Sequence, residues 1–157
     1  ELAEAFDSVD WQIDPMVAAH TSDISLLAGE VIYYATREAI RNSARYARPS
    51  NSNEALHLKI AVLWNEGLEI LVEDDGVGIG RTIGEGRANA ATNDAYVSNG
   101  NATNGHAPKT DAQSPKQGSG QGLALHSTMM AVVGGSLAVE SAPGEYTRVV
   151  LSLPGSN

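Results

Sequence analysis

Residues 30–47 (EVIYYATREAIRNSARYA) constrain the fold more than any other stretch. Read as a helix, they place Glu38, Asn42 and Arg45 at i, i+4 and i+7. At about 100° per residue the three fall within roughly 60° of one another and share a face. An acid, an amide and a guanidinium there provide a proton acceptor, a neutral oxygen ligand and an anion clamp, a set suited to a metal–phosphate ligand. The same periodic surface carries Val31, Tyr34 and Ala35 one to two turns earlier, which read as core contacts. The helix is thus expected to be buried toward its start and chemically equipped toward its end. On this helix alone, Asn42 and Arg45 read more readily as ordinary surface polar residues, and the remainder of the chain decides between the two.

The chain has 157 residues, enough for one domain, 1–157, with a proper core. Ten basic residues against nineteen acidic ones give a net charge of −9. That balance argues against a nucleic-acid partner, which calls for a basic stripe. It leaves room for a nucleotide, because a small site can be locally positive on an acidic body. The absence of cysteine removes disulfide scaffolds, thiolate zinc sites and cysteine nucleophiles, and fits a reducing compartment. No apolar run approaches the ~18–20 residues of a membrane span, so no membrane contact is expected of this domain.

Residues 1–7 read as a linker remnant. From Ser8 to Asp14 the pattern alternates, with Val9, Trp11 and Ile13 on one side, a half-buried strand stopped at Pro15. Met16 to Ala19 reads as a short helical turn, and Thr21, Ser22 and Asp23 as N-cap candidates for the long helix. Pro49 sets the end of that helix near Arg48. Ala55–Trp64 and Leu68–Val72 alternate around Asn65-Glu66-Gly67, a hairpin signal. Residues 81–117 are rich in Asn, Ala, Thr, Gly and Ser without apolar periodicity, which reads as a functional lid or a disordered insert. A second helix follows Gly118-Ser119-Gly120-Gln121-Gly122 and ends at Gly134-Gly135; two alternating strands around Pro143-Gly144 complete the chain. Hairpin-paired strands with helices segregated between them predict an α+β, two-layer α/β sandwich: a mixed sheet with helices on one face.

Two further motifs carry chemistry. Asp74-Asp75-Gly76-Val77-Gly78 puts an acidic pair at a strand end, with glycines that allow positive φ and close approach of a flat ligand. A buried carboxylate there can accept a hydrogen bond from an exocyclic amine such as that of adenine. A calcium-loop reading fails, since the later acidic ligands and the closing Glu are missing. The 118–122 run, opening a helix, offers unpaired N–H groups and a positive helix end to an anion. It lacks the Gly-Lys-Ser/Thr of a Walker loop and does not follow a first strand as a dinucleotide fingerprint does.

In their joint order and spacing the three motifs resemble the ATP-binding domain of the GHKL superfamily (the Bergerat fold), most closely the catalytic domain of bacterial sensor histidine kinases. Glu38-xxx-Asn42-xx-Arg45-Tyr46-Ala47 is similar to the N box. Asp74-x-Gly76-x-Gly78 and Gly118-x-Gly120-x-Gly122-Leu123 are similar to the two glycine boxes. The wording around the N box looks most like kinases of the nitrate-sensor and quorum-sensor type. The resemblance implies that Asn42 holds Mg²⁺, that Arg45 pairs with phosphate oxygens and that Asp74 binds the adenine amine of ATP. Gly76 and Gly78 would then make room for the base, Gly118, Gly120 and Gly122 would line the triphosphate, and Thr147 would assist near the adenine. Residues 81–117 would be the ATP lid, with Lys116 as its cation for the γ-phosphate. Tyr46 belongs to the N box and Leu123 to the second glycine box, and Glu38 either activates water, as in hydrolysing relatives, or positions the acceptor. Departures from the family pattern are Gln121, where many relatives have Leu, Tyr146, in place of a turn glycine, and a lid without phenylalanine.

The resemblance also implies partners: a histidine-bearing dimerisation domain of the same parent protein and a response regulator, in a cytoplasmic setting. None of His20, His57, His106 or His126 lies on a helical hairpin at the chain start, so this chain alone is not expected to autophosphorylate. The alternatives are an anti-sigma-factor-type serine kinase, a degenerate nucleotide- or partner-binding module, and a gyrase-type ATPase, the last disfavoured by the lack of a transducer domain.

Overall fold

Five alternating segments become five strands, and the two helical patterns lie over them. The computed structural model describes residues 3–49, 51–79 and 121–155. Strands β1 (Ser8–Ile13), β2 (His57–Trp64), β3 (Gly67–Asp74), β4 (Ser136–Ala142) and β5 (Tyr146–Pro154) form one sheet in the order β1-β2-β3-β5-β4. β1 and β2 are parallel and every other neighbouring pair is antiparallel. A parallel pair needs a long connection. Here it is supplied by α1 (Pro15–Ala19), a 3₁₀ turn at Thr21–Asp23, and the long helix α2 (Leu26–Tyr46). The third helix, α3 (Gln121–Val132), packs beside α2. The architecture is the α+β sandwich with a mixed sheet and helices.

Element ends follow local chemistry, with one correction. The N-cap of α2 is Ser25, whose side chain accepts from the Ala28 N–H, whereas Thr21–Asp23 close a separate 3₁₀ turn. Asp14 caps α1 by accepting from the Met16 N–H, and Pro15 stands where its missing N–H costs nothing. α2 stops at Tyr46, two residues short of Arg48. In the first hairpin Trp64 lies opposite Leu68, so the connection is Asn65-Glu66-Gly67, although Gly67 already pairs with Pro154 as part of β3. Gly134 follows α3, and the Gly135 N–H bonds back to the Met130 carbonyl at 2.8 Å.

Strand register arranges the sheet's helix-facing side chains in rows. Trp11, Ile60, Val72, Val149 and Val139 lie side by side across all five strands, as do Ile13, Val62, Ile70, Leu151 and Leu137. Against these rows α2 sets Val31, Ile32, Ala35 and Ala39, and α3 sets Met130, all buried. Ala35 and Ala39 carry no bulk to hold the helix off the sheet. Phe6, in the stretch read as a linker, is buried in the same core. The opposite face carries a ladder of alternating charge, Asp10, Lys59, Glu73, Arg148 and Glu140, with Arg148 bonded to Glu73 at 2.5 Å.

Two core expectations are overturned. Trp11 and Ile13 do share a face with Val9, but they are 59% and 64% exposed. The reason is sheet order: β1 is an edge strand, while α2 packs over β3 and β5. Tyr34 is also exposed; it stands beside Tyr33 in an edge-to-face contact, and the buried stripe of α2 runs through Ala28, Val31, Ile32, Ala35 and Ala39 instead.

Leu151 is fully buried in the middle of this core. Leu151→Ala is therefore expected to lower stability by about 2–5 kcal/mol, the range for a cavity left by a deleted leucine side chain. Urea unfolding of the two chains checks this; a loss well under that range would mean that the helices do not close over β5.

Candidate functional site

One row of the helix-facing surface differs from the others. At the end of the sheet, Leu58, Asp74, Thr147 and Ser141 lie side by side on β2, β3, β5 and β4. Three polar side chains thus end a surface that is otherwise apolar. α2 crosses this end, and the Ser43 hydroxyl, itself buried, donates to Oδ2 of Asp74 at 2.6 Å. The Gly76 N–H donates to Oδ1 at 3.1 Å. Asp74 is 2% exposed. Burial pushes its carboxyl above the usual carboxylate range, and the Ser43 and Gly76 donors counter that only in part, with the charges of Asp75 and Glu73 adding to the rise.

Its neighbour behaves in the opposite way. Asp75 points outward to His57, accepting from the backbone N–H at 2.7 Å and meeting ring Nδ1 at 2.6 Å. Burial is the largest single influence and raises its carboxyl, but these hydrogen bonds and the His57 charge together outweigh it and leave Asp75 below the usual range. The acidic pair is therefore split into one buried, perturbed carboxyl and one exposed anion. Such separation marks a candidate functional carboxylate.

The loop after Asp74 is pinned from both sides. The Val77 N–H bonds to the Ala47 carbonyl at 2.9 Å, and the Val77 carbonyl accepts from the Gly144 N–H at 2.7 Å. Gly76 lies so close to the Ala47 carbonyl that a Cβ there would collide with backbone. Gly78 takes φ 68°, a conformation that side chains disfavour, and also lies against the Ala142 carbonyl. The Ser141 hydroxyl accepts from the Ile79 N–H at 2.7 Å, donates to the Tyr146 carbonyl at 2.9 Å, and lies 3.4 Å from the Thr147 hydroxyl. In this way β4, β5 and the end of α2 all hold the glycine loop.

The N-box residues fall into two groups. Glu38 is buried at 8% exposed, pairs with Arg41 at 2.5 Å, and faces Gly122 so closely that a Cβ on Gly122 would run into its carboxylate. Asn42 is half-buried, and Arg45 and Tyr46 are exposed. Among the described residues the Asn42 amide and the Arg45 guanidinium make no side-chain hydrogen bond or ion pair. Within that set, a neutral amide oxygen and a cation are open to a metal and an anion. Among the described residues no group of three or more histidines, aspartates and glutamates converges as a metal centre, so a cation would need ligand-supplied oxygens, as Mg²⁺ bound through phosphates does. The residues fit Mg²⁺ in that sense.

The structure therefore brings Asp74, Gly76, Gly78 and Thr147 together, and sets Gly122 beside Glu38. Leu123 is half-buried against the core. Lys116, Gly118, Gly120 and the expected lid at 81–117 lie outside the described residues. Two side chains that motif reading passed over are Ser43 and Ser141. Ser43 had a signal: a polar residue continuing the buried stripe of α2 must find a partner. Ser141 had none, since it ends an ordinary alternating strand.

The family model of histidine kinase-, DNA gyrase B- and HSP90-like ATPases matches residues 29–157, and the chain belongs to that family. Solved structures agree in fold. The histidine kinase domain of the blue-light activated histidine kinase of Erythrobacter litoralis superposes with a TM-score of 0.57 at 19% identity, covering 94% of this chain and 51% of that one. A longer form of that kinase gives 0.58 at 20% identity, covering 95% of this chain and 35% of that one. The histidine kinase AdeS of Acinetobacter baumannii gives 0.54 at 14% identity, covering 99% and 58%. The chain thus spans about half the length of the first of these, or 51%. No curated protein matches it in sequence. Among the described residues no helix is long and apolar enough to cross a membrane.

The raised Asp74 carboxyl has a consequence for stability. A carboxyl that holds its proton more tightly when folded favours the folded state below the ordinary Asp range. That advantage is lost as pH rises through the raised folded value. Asp74→Asn, which cannot ionise, is therefore expected to be more stable than the unaltered chain at neutral pH. The gap should close as the pH falls to about 4, the ordinary Asp range. Urea midpoints of both chains at the two pH values check this; a gap that widens on acidification would contradict it.

Proposed function

We propose that this chain is the Mg-ATP-binding catalytic domain of a sensor histidine kinase. In this reading it donates the γ-phosphoryl group to a histidine on a separate dimerisation domain of its parent protein, from which a response regulator takes it in two-component signalling. One observation carries the reading: a buried carboxylate at the end of β3, bonded to the same helix that presents Asn42 and Arg45, neither of which has a side-chain partner among the described residues. An adenine amine, a cation and a phosphate anion would satisfy these three groups, and ATP with Mg²⁺ provides all of them.

The roles follow. Asp74 accepts from the adenine amine, with Thr147 beside it, and Gly76 and Gly78 admit the base. Asn42 would hold Mg²⁺ through its amide oxygen, and Arg45 pairs with phosphate. A Mg²⁺ held there would neutralise phosphate charge. Gly118, Gly120 and Gly122 line the triphosphate, residues 81–117 form the lid, and Lys116 meets the γ-phosphate; these assignments rest on the motif. Glu38, buried and paired with Arg41, supports a positioning role over activation of a water. The acceptor histidine is nucleophilic as neutral imidazole near pH 7, so little base is required of this domain.

Calorimetry of the full chain tests the site. It should bind Mg-ATP, Asp74→Ala should weaken binding about 10- to 100-fold, as for loss of a hydrogen bond to a charged group, and Asn42→Ala should abolish the Mg²⁺ dependence. Labelled ATP with a histidine-bearing dimerisation domain in trans then tests the chemistry. Tight binding without transfer would leave a nucleotide-binding module and remove the kinase reading.

A further inference from the structure

We propose that Ser43 is a positioning residue of the nucleotide site, whose hydroxyl holds the Asp74 carboxylate in the one orientation that accepts from an exocyclic amine. The proposal rests on the nucleotide reading above. Its basis is geometric. The Ser43–Asp74 bond, 2.6 Å long, is the only side-chain hydrogen bond joining α2 to the sheet among the described residues. Both partners are buried, at 8% and 2% exposed, so water does not compete for it.

A carboxylate offers about four lone-pair positions on two oxygens. The protein fills one on each: Ser43 reaches Oδ2 from the helix, and the Gly76 N–H reaches Oδ1 from the loop. The terminal torsion of an aspartate is otherwise broad and roughly two-fold, so two donors on opposite sides set the plane of the group. The lone pairs that remain are those a ligand meets. A hydroxyl donor also stabilises the anionic form, which is an acceptor only, and so opposes the effect of burial. An acceptor-only group welcomes an amino group and rejects a ring carbonyl in the same place. An alanine here would serve the helix better, since Ala has the higher propensity. It would leave the Asp74 oxygen without its buried donor.

Ser43 also adjoins Asn42 in the chain. One rigid helix therefore carries the proposed metal ligand and, one residue on, the group that orients the base-reading carboxylate. A loss confined to base reading would spare the Mg²⁺ linkage, whereas general damage to α2 would not.

The test uses the full chain, the Ser43→Ala and Asp74→Asn variants, and calorimetry with Mg-ATP and Mg-GTP from neutral to acidic pH. A ¹³C-carboxyl titration of the nucleotide-free chains runs alongside it. Ser43→Ala is expected to weaken Mg-ATP about tenfold, to narrow the preference for ATP over GTP, and to keep the Mg²⁺ dependence. Its loss of binding on acidification should begin at higher pH, and the Asp74 carboxyl should titrate higher. Unchanged affinity, selectivity and titration in Ser43→Ala would overturn the proposal while leaving the nucleotide site in place. So would an equal loss of ATP and GTP with an unmoved carboxyl titration, which marks a purely structural role. If the unaltered chain binds no Mg-ATP, or Asp74→Asn binds it normally, the underlying reading fails and the proposal falls with it.

Discussion

A carboxylate taken out of water costs free energy unless donors replace the solvent. Asp74 is such a group, and much of the site's architecture meets that requirement. Its two donors come from different parts of the chain, the Ser43 hydroxyl on α2 and the Gly76 N–H in the following loop. To bring the first, α2 must cross the end of the sheet at close range, which Ala39 and Ala35 permit in the turns before it. To bring the second, the chain must turn sharply after β3, against the carbonyl of Ala47 at the end of the same helix. The long helix and the glycine loop are thus fixed to each other through one residue.

The same helix organises the other side of the site. Glu38 lies where α3 approaches α2, and Gly122 leaves the space that its carboxylate occupies. Two turns of helix therefore hold a buried acid against α3, an amide and a guanidinium that bond to no side chain among the described residues, and a hydroxyl bonded to the sheet. Chemical groups of four kinds become rigidly related because they share one backbone. Preorganisation of this sort lowers the ordering cost of binding a polyanionic ligand. The β4–β5 hairpin contributes from below: Ser141 ties the glycine loop to the strand that presents Thr147.

Most of the elements were legible in the sequence. Alternation located all five strands, and helical periodicity located α2 and α3, because these patterns are local. Asp74 was readable as a strand-end carboxylate followed by glycines, and Asn42 and Arg45 as a shared helix face. Ser43 was not singled out, although its place on the buried stripe was visible. Its partner lies 31 residues away, and nothing in the spacing names that partner.

By itself the sequence determined the elements, their order, and which residues on α2 and after β3 carry polar chemistry, since period and turn chemistry act within a few residues. Only the tertiary structure decided which faces are covered. Trp11 and Ile13 have the pattern of a half-buried strand, yet the sheet order puts β1 at an edge, while α2 packs mainly over β3 and β5. Tyr34 belongs to a helical face in sequence and to solvent in the fold. The Ser43–Asp74 bond and the contact of Glu38 with Gly122 join distant segments. Their existence depends on where helices settle over the sheet, and that is set by the packing of the whole core.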